Sequence, residues 1–166
     1  MEVRGLEARN WMMKNQNSKN RISSFEDLEA WQMSRQLVNA LYRLTRLKSL
    51  VTDFRVCSQV QAAGVSIMSN TAEGFERTHL QEKIQFYNVA RASAGEVRSL
   101  LYVLSDNFAE AAAEAERLRD EVTRVGKLVT GLLNSTVRRR GIAARGIVAL
   151  LSTISYLLTS ICSHLR

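Results

Sequence analysis

The 166-residue sequence has no proline and only eight glycines. Proline deletes a backbone donor and clashes with the preceding turn, so its absence lets long helices run unbroken. Asn-Gly and Asp-Gly pairs are missing too, and no stretch sustains an apolar/polar alternation, which excludes a sheet built from tight hairpins. Cysteine is limited to Cys57 and Cys162. Two widely spaced thiols make neither a disulfide framework nor a zinc site, and they point to a reducing, cytoplasmic setting. Histidine is equally scarce. His79 and His164 are far apart, and the pair of Glu-x-x-His motifs that a di-iron bundle requires is not present. Phosphate-binding Gly-rich loops and a Gly-x-Ser-x-Gly elbow are also missing. These absences remove the usual enzyme classes, so a binding role without catalytic residues, cofactor or metal is expected. Residues 1–20 lack the apolar core of a secretory signal.

What is present is an ordinary globular balance, 46% apolar and 23% charged, in a chain the length of one domain. The net charge of +7 is unevenly spread. Residues 1–24 carry +3, residues 25–135 carry −1 and residues 136–166 carry +5 with no acidic side chain. The chain thus divides into a polar lead (1–24), a nearly neutral central unit (25–135) and a basic, then apolar, extension (136–166). A basic tail binds phosphates by displacing their counterions, or it is simply a solvated end.

The central unit reads as four helices. Ser24 with Asp27 three residues on is a capping-box start, and helix 1 is expected over Phe25 to Lys48. Leu28, Trp31, Arg35, Val38, Tyr42 and Thr45 form one row, and Leu37, Leu41 and Leu44 form a second beside it. Two rows exceed the needs of one seam, so Leu37, Leu41 and Leu44 are expected partly at a subunit interface; a broad core is the alternative. Asp53 can cap helix 2, with a heptad seam of Val56, Val60, Ala63, Ile67 and Asn70. Gly74 stands where a left-handed glycine would end that helix. Thr78 with Gln81 would start helix 3, whose seam is Tyr87, Ala90, Ala94, Val97, Leu101 and Leu104. Asn107 with Glu110 would cap helix 4, with Leu118, Val122, Val125, Val129 and Leu132. Four such helices on short links make an all-α, antiparallel up-down bundle with left-handed packing.

Beyond Ser135, Arg138, Arg139, Arg140 and Arg145 precede an uncharged run from Gly146 to Ser163. Its serines and threonines, with Ile147, Leu150, Leu151, Ile154, Leu157, Leu158 and Ile161 at helical spacing, fit an amphipathic packing helix better than a membrane span. Polar residues also fall among expected core positions. Asn70 on a seam would fix register or oligomeric state. Glu73 and Glu96 would pair with Arg77 or Arg98 across helices, or simply lie on the surface. Cys57 near a helix start reads as a buried structural thiol rather than a reactive one.

Three segments carry a resemblance. They are Phe25-Glu26-Asp27-Leu28 with Trp31-Gln32, then Gln59 to Arg77 around Ser66-Ile67-Met68-Ser69-Asn70-Thr71-Ala72-Glu73-Gly74, then Phe86-Tyr87-Asn88-Val89-Ala90-Arg91-Ala92-Ser93-Ala94-Gly95-Glu96-Val97. Together they resemble the four helix bundle protein family. That family includes proteins encoded in 23S ribosomal RNA intervening sequences and the accessory variability determinant of diversity-generating retroelements. The resemblance spans about residues 25–135 and implies an up-down bundle assembled as a homopentameric ring, with Asn70, Glu73, Gly74, Arg77 and Glu96 as its motif residues. In the retroelement branch it implies binding to RNA or DNA and to a reverse transcriptase during mutagenic reverse transcription. In the ribosomal-RNA branch it implies a structural or protein-interaction bundle of unknown role.

Relatives often carry Arg-Arg where Gln61 and Ala62 stand here, and the central unit's own charge is −1. Both departures shift the expected nucleic-acid contacts off the bundle and onto Arg138, Arg139, Arg140 and Arg145 or the N-terminal lead. Leading the functional expectations is therefore an adaptor of the retroelement type; the intervening-sequence type is the alternative.

Overall fold

The computed structural model describes the backbone of residues 22–164 and the side chains of residues 22–147. The polar lead over residues 1–21 and the side chains of the apolar run after residue 147, with Cys162 and His164, lie outside the described residues. A short 3₁₀ turn, Phe25–Asp27, precedes helix α1 (Glu29–Leu44). Helices α2 (Phe54–Glu76), α3 (Leu80–Asn107) and α4 (Ala112–His164) follow, and no strand occurs among the described residues. The links are short, so consecutive helices run antiparallel, and α1 closes the bundle against α4. Among the described residues, no helix is long and apolar enough to cross a membrane.

The heptad seams form the core. Val60, Ala63 and Ile67 of α2 meet Tyr87, Ala90, Ala94, Val97, Leu101 and Leu104 of α3 and Leu118, Val122, Val125 and Val129 of α4, all buried. The α4 seam ends one residue later than its spacing implies: Leu133 is buried and Leu132 only half-buried.

Helix α1 reverses the expected division of its two rows. Leu37, Leu41 and Leu44 are 1%, 0% and 2% exposed inside a single chain, which leaves none of them for a neighbouring subunit. These three are the row that α2 and α4 cover. The middle of the other row faces outward, with Trp31 and Val38 half-buried and Arg35 and Tyr42 exposed, while its ends, Leu28 and Thr45, are buried. Close packing of α1 on α2 uses Gly64, where an added Cβ would lie 2.7 Å from Leu41 Cδ1.

The helix boundaries also differ from the capping signals, each for a local reason. The Asp27 carboxylate accepts hydrogen bonds from the Ser23 and Ser24 amides and the Ser23 hydroxyl. Those bonds close the 3₁₀ turn, and the chain then passes through extended Leu28 before α1 begins. The same bonds hold the Asp27 carboxyl below its ordinary range. Helix α1 stops at Leu44, where Thr45 and Leu50 of the following link turn inward. Leu50 is fully buried there, and Gln61 of α2 donates to the Thr45 hydroxyl at 2.7 Å. The buried Cys57 thiol donates to the Leu50 carbonyl at 3.3 Å, and burial raises its pKa, as a structural cysteine requires. Asp53 caps α2 as its position implies, accepting from the Val56 amide. Thr78 and Gln81 do not cap α3: the helix opens at Leu80 behind His79, which makes no side-chain cap. Asn107 is the last residue of α3 rather than the cap of α4, and its amide bonds back to the Val103 carbonyl at 2.8 Å.

Gly74 is the sharpest correction. No glycine of the described backbone has a positive φ, and α2 runs through Gly74 to Glu76. The residue is glycine because the Tyr87 ring occupies the place of a side chain, and a Cβ would stand 2.5 Å from Tyr87 Cε1. Lys83 terminates α2 instead, its ammonium donating to the Gly74 and Phe75 carbonyls, where a cation also complements the helix dipole. Gly74→Ala should therefore destabilise the fold by about 1–3 kcal/mol through overpacking. Gly95→Ala, where nothing lies within 4 Å of the new Cβ, should stabilise it by about 0.5–1 kcal/mol through helix propensity. Urea unfolding of the two variants measures both signs.

Candidate nucleic-acid interface

Helix α4 is 53 residues long, about 80 Å at roughly 1.5 Å per residue. Its core seam ends at Leu133 and Thr136, and every side chain over residues 137–147 is exposed. Neither Gly141 nor Gly146 breaks the helix. The four predicted arginines thus stand on a continuous helix rather than in a loop. No acidic side chain follows Glu121 in the sequence, whereas seven cations do.

The arginines do not share one face. A helix turns about 100° per residue, so Arg138 and Arg145, seven residues apart, lie within about 20° of each other, and Lys127 joins them eleven residues before Arg138. Arg139 faces elsewhere. Its charge acts on Lys83 and Tyr87 at the junction of α2 and α3. Burial holds the Lys83 ammonium below the ordinary lysine range, with Glu76 opposing and Arg139 reinforcing that shift.

The motif residues of the central unit resolve into structural roles. Asn70 does not bridge helices; it is half-buried and donates to the Ser66 carbonyl and hydroxyl of its own helix at 2.8 and 3.1 Å. The polar contact across α2 and α3 is made instead by Ser66 and Ser93, whose hydroxyls are 2.8 Å apart. Glu73 is exposed and pairs with Arg77 at 3.6 Å at the end of the same helix. Arg77 also covers the Phe86 ring at 4.6 Å. Glu96 is exposed and forms no ion pair among the described residues. Glu76 and His79 have Glu-x-x-His spacing, but α2 ends between them, and no cluster of three metal-ligating side chains occurs among the described residues.

The bundle itself carries a feature that its net charge of −1 conceals. Between α3 and α4 runs a groove of about 580 Å³ lined by Arg91, Arg98 and Lys127 and by no acidic residue. Ala94, Gly95 and Gly126 form its floor. All three cations are exposed, and none forms an ion pair among the described residues. One turn past Arg98, the half-exposed Tyr102 ring stacks under the Arg119 guanidinium at 4.2 Å. A charge averaged over the whole central unit conceals this groove. The signals present in the sequence are Arg91 and Arg98 seven residues apart on one helical face, and two glycines, Gly95 and Gly126, at mid-helix positions with no turn to serve.

The model of the 23S rRNA-intervening sequence protein family matches residues 26–131. The chain belongs to that family. The 23S rRNA-intervening sequence match ends before Arg138, so the basic and apolar extension lies beyond it. Among solved structures, the chain is similar to a protein of unknown function from the S23 ribosomal protein family of Bacteroides thetaiotaomicron. The identity is 21% and the TM-score 0.54, over 63% of this chain and 94% of that one. At that identity the likeness concerns the fold. No match was found among curated proteins.

Burial pushes the Tyr87 phenol up to about 12 from an ordinary value near 10, with Arg139 opposing. The folded chain keeps this proton where the unfolded chain begins to lose it. The associated stability is complete below about pH 10 and falls as pH rises toward about 12. Urea midpoints at about pH 9 and about pH 11 should show a loss that Tyr87→Phe reduces.

Proposed function

We propose that this chain is a non-enzymatic, homo-oligomeric adaptor that binds nucleic acid through the basic surface of α4. One observation carries the reading: Arg138, Arg139, Arg140 and Arg145 are exposed on a helix that has left the core, in a segment without acidic side chains. Such a surface attracts a polyanion through counterion release and needs no pocket.

The resemblance of the chain's three segments to the four helix bundle protein family, of which the retroelement accessory proteins are one branch, supports a reverse transcriptase as protein partner. It also supports a homopentameric ring, for which the outward row of α1 offers a surface. Trp31 sits there between Phe25, edge-on at 5.1 Å, and Arg35 at 5.9 Å. Family membership by itself equally supports an intervening-sequence bundle that binds only protein.

Two measurements separate these. Binding of the full chain to a labelled oligonucleotide should weaken steeply as salt rises, and replacing the four arginines with glutamine should lower the log–log slope by about 3 for single strands. No binding at low salt returns the chain to the protein-only reading. Light scattering should give about five times the 18.7 kDa chain mass. A monomer mass overturns the ring.

A further inference from the structure

The groove between α3 and α4 has no part in building the fold. Its floor is open: a Cβ on Gly95 would meet nothing within 4 Å, and one on Gly126 would only touch Ala94 Cβ at 3.7 Å. Neither glycine is required by the backbone, since no glycine here has a positive φ. Alanine at either position would give a better helix. Arg91, Arg98 and Lys127 flank this opening without partners among the described residues. Like charges held together lower stability unless something neutralises them.

The groove also connects with the extension. Lys127 borders it and shares a helical face with Arg138 and Arg145, as the residue spacing requires. Asp120, two turns earlier, is the last carboxylate on that face. On α4, cations therefore recur along one face at Lys127, Arg138 and Arg145, with an uncharged interval of about 16 Å between the first two and no carboxylate among them. Arg91 and Arg98 are about 10 Å apart along α3, two turns at about 1.5 Å per residue.

We infer that these cations mark a track for one nucleic-acid strand, with the α3–α4 groove holding its phosphodiester backbone between Arg91, Arg98 and Lys127. The inference rests on the proposed nucleic-acid binding and adds a second, preformed site to it. Axes of packed helices lie about 8–10 Å apart, narrower than the roughly 12 Å major groove of a duplex alone. A duplex would bridge the rim of the α3–α4 groove and leave its floor untouched.

The test is equilibrium binding of the full chain to a labelled 20-mer of oligo(dT), its oligo(U) counterpart and a duplex of the same length. The combined variant Arg91→Gln, Arg98→Gln, Lys127→Gln should bind oligo(dT) and oligo(U) about tenfold more weakly at low salt, with a log–log slope smaller by about 2. Gly95→Leu keeps every charge and fills the opening. It should fold at least as stably as wild type, by circular dichroism melting, yet bind single strands about fivefold more weakly. Duplex binding should change less than twofold in both variants. If both variants bind single strands like wild type while the Arg138–Arg145 variant loses binding, the groove is overturned and the α4 surface stands. Should the duplex be weakened equally, the single-strand assignment is overturned. If wild type binds none of the three probes, both readings fall.

Discussion

The heptad seams of α3 and α4 pack against each other along most of their length, and the arrangement of this molecule depends on that apolar interface. The larger side chains of the two seams, Tyr87, Val97, Leu101, Leu118, Val122 and Val129, turn inward and fill the core. At one point on the outer side of this interface Ala94 and Gly126 face each other, and a Cβ at Gly126 would make an ordinary contact with Ala94 Cβ at 3.7 Å. With only small side chains there, the solvent side of the interface is a groove rather than a ridge, bordered by Arg91, Arg98 and Lys127. Core and candidate site are two sides of one interface.

Charge follows a comparable logic. Acidic side chains end at Glu121, and several are neutralised locally: Glu73 by Arg77, Glu114 and Glu121 by Arg117, and Glu116 by Arg119. These exposed pairs contribute little to stability. Their effect is to leave Arg91, Arg98 and Lys127 as cations on the α3–α4 face with no ion pair among the described residues, and the α4 arginines continue the field. A net charge of −1 for residues 25–135 is therefore compatible with a strongly basic surface on one side.

The periodicity of apolar residues makes the four helices and most of the core legible in the sequence alone, because a seam at 3.5-residue spacing has few other solutions. The elements that resist such reading are those decided by tertiary contact. The Leu37, Leu41 and Leu44 row and the Trp31 and Tyr42 row look equivalent in sequence, and only the positions of α2 and α4 determine which is covered. Gly74 has the appearance of a helix terminator; its reason is a tyrosine thirteen residues later on another helix. Thr78 and Asn107 carry good capping chemistry, but Lys83 ends α2 and the turn after Asn107 sets the start of α4. The arginines after Ser135 are legible because they are nearly contiguous. Arg91, Arg98 and Lys127 are not, since they come together only when α3 and α4 pack.

A nuclear magnetic resonance titration of the isotopically labelled full chain with a single-stranded oligonucleotide locates the contact surface without any substitution. Shifts should concentrate at Arg91, Gly95, Arg98, Gly126 and Lys127 and recur from Arg138 to Arg145, with the Trp31 to Tyr42 row unaffected. Shifts confined to α1, or their absence at low salt, would contradict contact on α3 and α4.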